Sequence, residues 1–225
     1  MKKIILFLFV FCASLIAKSQ DLTVFNFMND VKNAKYQEGV LNGTVHNYNG
    51  SPFLSDEFKS GEIETVKGLI YKGLDLRFNI YQDQVEFKQD KRAYMVPKDN
   101  FIKSAKIGED IFILASVGQN KASTYYRKIT NGKVTLLEKY NVAYNEAQKR
   151  VAYSDPKPAE YVRQSNDYYL LIATDGFAHK ISGVKSINEL FPLKENEIKD
   201  FLKKNKLGVK KEADLIRVAE FLSSF

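Results

Sequence analysis

Leu74, Leu76, Phe78 and Ile80 occupy alternate positions, and Asp75, Arg77, Asn79 and Tyr81 fill the places between them. A period of two buries one face and wets the other only in an extended strand, so this segment must pair within a sheet. The same signal recurs on either side. Ile63 and Thr65 alternate up to Gly68, Gln82-Asp83 reads as a turn, and Val85 and Phe87 open the next run. Ile111 to Ser116 is more evenly apolar. Tyr125 to Thr130 meets Lys133 to Tyr140 across Asn131-Gly132, and Tyr168 to Ala173 meets Phe177 to Ile181 across Asp175-Gly176. Asn-Gly and Asp-Gly supply the positive φ angles of tight hairpins, so both pairs are read as β-hairpins. The spacing predicts six to ten antiparallel strands between Gly61 and Ile181.

From Ser186 the period lengthens. Ser186 and Glu189 have capping-box spacing, and Pro192 opposes continuation of a helix begun there. Ile198, Phe201 and Leu202 form the stripe of a second helix that Gly208 is expected to end, and Leu215, Val218, Ala219 and Leu222 form that of a third. The fold class is therefore α+β: mainly antiparallel β-sheet, as a meander, sandwich or open barrel, with a small C-terminal helical segment. The expected organisation is a secretory signal over 1–19, an irregular N-terminal arm over 20–60, the β domain over 61–185, and helices packed on it over 186–225.

The signal is read from Lys2 and Lys3, the apolar run Ile4 to Ile16, and the small residues Ala17 and Ser19 before Gln20. Cys12 does not make a lipoprotein signal, because bulky Phe11 precedes it and the apolar run would be cut in half. It is the only cysteine, so the mature chain has no disulfide and must rely on its core. A periplasmic or secreted, non-lipidated protein with no transmembrane segment in its mature chain is expected. The 34 basic residues lose Lys2, Lys3 and Lys18 with the signal, leaving 31 against 27 acidic ones and a net charge of +4. That is ordinary solubility charge, and no nucleic-acid partner is expected.

Catalytic chemistry has few candidates. His46 and His179 stand far apart with no metal-binding spacing, and there is no nucleophile elbow, phosphate loop or dinucleotide fingerprint. Asn42 opens a formal glycosylation sequon with no further support. Glu62, Glu64, Asp75, Asp83 and Glu86 could supply a carboxylate pair, but acids alternating with apolar residues are read as the solvated side of a sheet, paired with Lys67, Arg77 and Lys88. No catalytic residue, metal site or cofactor is assigned. The run Lys203, Lys204, Lys206, Lys210 and Lys211 could meet a phosphate or an anionic membrane, although Glu195, Glu197, Asp200, Glu212 and Asp214 dilute its field. The candidate ligand-binding set is Tyr71, Tyr81 and Tyr125 as an aromatic groove, with Arg77 or Lys88 to meet an anionic head group.

The segments Gly50-Ser51-Pro52-Phe53-Leu54, Gly61-Glu62-Ile63 and Tyr71 to Tyr81 with Val85-Glu86-Phe87-Lys88 resemble an uncharacterised family of secreted proteins common in Bacteroidetes. The resemblance continues through Asn131 to Leu137 and Glu197 to Leu207. It implies secretion and an intact fold, and no activity. The functional expectation is a non-catalytic secreted or periplasmic protein that binds a lipid, peptide or envelope protein. The alternatives are a structural or assembly protein of the envelope and an unrecognised hydrolase.

Mature protein isolated from its native host is expected to begin at Gln20 and carry no acyl group. Intact-mass measurement checks this, and an acylated N-terminal Cys12 would refute it.

Overall fold

A computed structural model describes residues 24, 26–31, 48–90, 92–98, 101–148 and 156–225. The expected signal, its cleavage point at Gln20, the Asn42 sequon and His46 lie outside the described residues. What is described is an α+β fold, mainly antiparallel sheet with helices toward the C-terminus. The chain divides into two compact units between Glu109 and Asp110.

In the first unit residues 26–31 form a short helix, α1. The strands are β1 (Tyr48–Asn49), β2 (Lys59–Thr65), β3 (Ile70–Asn79), β4 (Gln84–Gln89), β5 (Arg92–Met95) and β6 (Ile102–Ile107). Strands β2 to β6 run in the order β6-β2-β3-β4-β5, a meander from β2 to β5 with β6 returning to the free side of β2. As the alternation predicts, Leu74, Leu76, Phe78 and Ile80 are buried, with Val85 and Phe87 beside them. The expected arm contributes to this core as a helix. Phe27 of α1 is fully buried, its ring centroid 5.2 Å from Tyr71, 4.9 Å from Phe87 and 6.0 Å from Phe101.

A bulge interrupts the alternation once. The β2–β3 register passes from Gly61 opposite Leu74 to Glu62 opposite Lys72, leaving Gly73 unopposed at φ 70. That left-handed conformation suits glycine, and the extra residue reverses the phase of the strand. Tyr71, which strict alternation would place with Asp75 and Arg77, is thereby turned into the core with Leu74.

The second unit contains β7 (Asp110–Ala115), β8 (Thr124–Lys128), β9 (Val134–Lys139), β10 (Val142–Asn145), β11 (Ala159–Arg163), β12 (Asp167–Ile172) and β13 (Ala178–Lys180). Five of these run in the order β13-β12-β9-β8-β7, and β10 and β11 pair as a separate hairpin. Hairpins span Asn131-Gly132 and Asp175-Gly176, but not as two-residue turns: Lys128 pairs with Leu137 and Leu171 with Ala178, each two positions out of that register, and only the glycines have positive φ. Among the described residues twelve strands lie between Lys59 and Lys180, more than the six to ten expected. The surplus comes from β5, β10 and β11, each of five residues or fewer and too short to display a period of its own.

Helices α2 (Val184–Leu190), α3 (Glu195–Asn205) and α4 (Glu212–Leu222) pack on one face of β9 and β12. Ile187, Ile198, Leu202, Leu215, Val218 and Leu222 meet Val134, Leu136 and Leu170 there. The opposite face of the same strands buries Leu137 and Tyr169 with Tyr126 and Ala115. Two helix ends differ from the sequence reading. Ser186 is the third residue of α2 rather than its cap: its Oγ donates to Gly183 O at 2.7 Å and accepts the Gly183 N–H at 3.3 Å, so the helix starts at Val184. Helix α3 ends on Lys206 in the left-handed region, two residues before Gly208, with its last carbonyls capped by backbone N–H groups.

Gly61 tests how closely the strands approach. A Cβ there would lie 2.1 Å from the carbonyl oxygen of Lys106 on β6. Gly61→Ala is expected to destabilise the protein by about 2–3 kcal/mol, read as a lower urea midpoint with the native far-ultraviolet spectrum retained.

Candidate functional site

The five residues proposed from the sequence separate into different environments. Tyr71 is 7% exposed, and its hydroxyl donates to Asp30 of α1. Burial and that carboxylate push its pKa up to about 12. Tyr125, on β8 of the second unit, is 2% exposed. Both tyrosines are core residues. Tyr81 is exposed in the turn after β3, where its N–H donates to Pro52 O at 3.3 Å. Arg77 and Lys88 are brought together on the outer face of β3 and β4, with Phe58 4.4 Å from the guanidinium carbon and 6.0 Å from the ammonium.

Arg77 is already engaged by the protein. It stands opposite Glu86 across the β3–β4 ladder, and its Nε donates to Glu86 Oε2 at 2.8 Å. Glu86 is fully buried; its second oxygen accepts Asn79 Nδ2 at 3.0 Å. The chain from Pro52 to Phe58 lies over this pair, with Phe53 3.6 Å from the guanidinium carbon and Asp56 O accepting from Nη1 at 3.3 Å. Two of the other candidate carboxylates are paired too: Glu64 with Lys103 at 2.7 Å, and Asp83 with Lys98.

The second unit holds a larger cluster that the sequence reading missed. Arg127 on β8 stands opposite Glu138 on β9, and its Nε donates to Glu138 Oε2 at 2.6 Å. Its Nη2 donates to Glu212, in the first turn of α4, at 2.5 Å. Glu138 is 3% exposed and also accepts Asn166 Nδ2 at 2.7 Å, with the Tyr140 and Tyr168 hydroxyls in hydrogen-bonding reach. These donors hold the carboxylate within the protein's own network. Burial, reinforced by the Glu138 charge, raises both phenols, Tyr168 to about 12. A two-residue turn at Asn131-Gly132 would set Arg127 opposite Leu136, so neither its pairing with Glu138 nor the arrival of Glu212 could be read from the sequence.

His179 serves the Asp175-Gly176 turn. Its Nε2 lies 2.8 Å from Asp175 Oδ2, and Asp175 Oδ1 accepts the Phe177 N–H at 2.8 Å. The Asp175 carboxyl sits below its usual value: burial works against that shift, and the bonds from Phe177 and His179 outweigh it. Among the described residues no group of three or more His, Cys, Asp or Glu side chains gathers for a metal ion. A concavity of about 650 Å³ lies along β10 and β11, lined by Tyr144, Asn145, Gln148, Lys157 and Glu160, and none of the five candidates borders it.

The exposed apolar residues identify a different candidate. Val66, Leu69 and Ile70 are 54%, 49% and 55% exposed and sit together in the β2–β3 turn. The turn is firmly built. Thr65 N–H donates to Leu69 O at 2.9 Å, Leu69 N–H to Thr65 Oγ1 at 3.1 Å, and Val66 N–H to Phe101 O at 2.9 Å. Gly68 at φ 79 allows the reversal, and exposed Lys67 stands between the apolar side chains.

The raised phenols make a pH prediction. A phenol with pKa near 10 when unfolded and about 12 when folded keeps its proton longer in the native state. Its contribution is full below the unfolded value and is lost as pH rises toward the folded one. The urea midpoint is expected to fall between pH 10 and 12, and Tyr168→Phe to fall less steeply; an equal slope in the variant would refute the assignment. Comparison of the chain with family models, with curated proteins and with solved structures returns no match.

Proposed function

We propose that this chain is a secreted or periplasmic binding protein without catalytic activity of its own, which docks on a lipid, peptide or protein partner through the β2–β3 turn. The observation that carries this reading is the exposure of Val66, Leu69 and Ile70 within five residues of a turn fixed by backbone hydrogen bonds. Single exposed apolar residues are ordinary, whereas three on one rigid tip form a preorganised apolar contact that loses little entropy on binding. The buried ionisable groups point the same way. Glu86 and Glu138 are used with Arg77 and Arg127 in fastening strands, which accounts for the burial of the two carboxylates without a reaction.

The arrangement at Arg77 and Lys88 remains compatible with a secondary contact to an anionic group. Lys88 stays exposed beside Phe58, while Arg77 is held by Glu86. The apolar tip is the primary element because its side chains have no comparable role inside the unit.

A photo-crosslinking amino acid at position 69 in the native host is expected to give a discrete lipid or protein adduct. The same group at position 185, whose lysine side chain is 91% exposed, is expected to give none. Val66→Ser with Leu69→Ser and Ile70→Ser should abolish the adduct at a neighbouring reporter position and leave stability within about 0.5 kcal/mol per substitution. Identical labelling at 69 and 185 would remove the reading.

A further inference from the structure

The second unit carries a charged surface that the apolar tip does not explain. Lys199, Lys203, Lys204, Lys206, Lys210 and Lys211 are all exposed along α3 and the loop that follows it. Among the described residues none of them forms an ion pair. Two of the neighbouring carboxylates are engaged by other cations and a third by a backbone N–H. Glu197 is paired with Lys194 at 2.9 Å, Glu212 with Arg127 at 2.5 Å, and Asp214 accepts the Gly208 N–H at 3.0 Å. Pairing with Lys194 and Arg127 therefore removes part of the dilution that the bare sequence suggests, while exposed Glu195 and Asp200 remain among the lysines. Arg217 of α4 adds another cation at the same end of α3, where its Nη2 donates to Asn205 Oδ1 at 2.9 Å.

We infer that this face of α3 and its following loop is a docking surface for an anionic phospholipid bilayer. Charge complementarity requires an anionic partner, and the kind of cation selects among anionic partners. A discrete phosphate is usually gripped by backbone N–H groups in a concavity or by the planar fork of arginine. Here the cations are mainly lysines, hydrated point charges on flexible stems, borne on the outside of a helix. From Lys199 to Lys206 they extend along roughly 10 Å of helix axis, which suits the continuous field of a lipid surface better than one bound ion. An apolar component adjoins them. Phe201, half-buried, stacks on half-buried Phe221 with ring centroids 4.0 Å apart, and Lys204 is its neighbour one turn along.

The test uses the full mature chain and co-sedimentation with vesicles. Vesicles of phosphatidylcholine mixed with phosphatidylglycerol are expected to bind it in low salt and release it in high salt, and vesicles of phosphatidylcholine alone to bind it far less. Lys199→Gln with Lys203→Gln and Lys204→Gln keeps good helix formers on α3 and should lower affinity by roughly 100-fold, at about five-fold per lysine. Lys59→Gln with Lys121→Gln and Lys185→Gln makes the same change in net charge on exposed residues elsewhere and should leave binding within a few-fold. Equal loss in the two triple variants would overturn the site. Binding to inorganic polyphosphate without binding to mixed vesicles would overturn the lipid assignment, and binding to neither would overturn both. None of these outcomes depends on the β2–β3 turn, which stays intact throughout.

Discussion

Burying the Glu138 carboxylate constrains the second unit more than any other single group. An ionised carboxylate taken out of water is costly unless donors replace the solvent it loses. At Glu138 they come from Arg127 on the adjacent strand and Asn166 before β12, with Tyr140 and Tyr168 in reach. Arg127 then carries the constraint outward by reaching Glu212 in the first turn of α4, where a negative charge also suits the helix dipole. The position of α4 on the sheet is therefore specified by charge as well as by Leu215, Val218 and Leu222. Losing Arg127 would leave a buried anion uncompensated, the case in which a buried pair costs about 3–5 kcal/mol rather than the fraction expected at the surface.

The first unit uses a related device with a different cover. Arg77 and Glu86 face each other across β3 and β4, and Asn79 satisfies the second oxygen of the carboxylate. Instead of a helix, the segment around Phe53 and Phe58 closes over the guanidinium through aromatic faces and a backbone carbonyl. In both units the arginine is the partly exposed partner and the glutamate the buried one. This order follows from chemistry. Guanidinium is weakly hydrated, spreads its charge and can lie against a ring, so it can bridge a buried carboxylate to the covering element. Carboxylates used in this way fasten strands, which directs attention to the exposed residues.

The legibility of the fold in the sequence follows how many faces of each strand are buried. Along β3 one face is apolar and one polar, so Leu74, Leu76, Phe78 and Ile80 could be placed from spacing alone. Tyr71 could not, because the phase reversal at Gly73 depends on its pairing with β2. Along β9 the residues from Val134 to Glu138 are buried on both faces, and β8 buries Tyr125 and Tyr126 in succession. Alternation carries no information about such strands. Tyr125 was therefore open to a surface reading that its burial does not support. The helical stripes of α3 and α4 were legible because each helix hides a single face, whereas their ends depend on local hydrogen bonds, as at Ser186 and Lys206.

Surface charge is hidden in the sequence for a different reason. Proximity along the chain counts Glu197 and Glu212 against the lysines around them, although what a partner feels depends on where each charge is already balanced. Glu212 lies next to Lys211 in sequence but is balanced by Arg127, 85 residues away. The contact that seats α4 on the sheet thus also withdraws an anion from the lysine-bearing surface. Core and surface are coupled here through one carboxylate. A substitution at Arg127 would loosen α4 and, by freeing Glu212 beside Lys210 and Lys211, weaken the positive field of a face that Arg127 itself does not form.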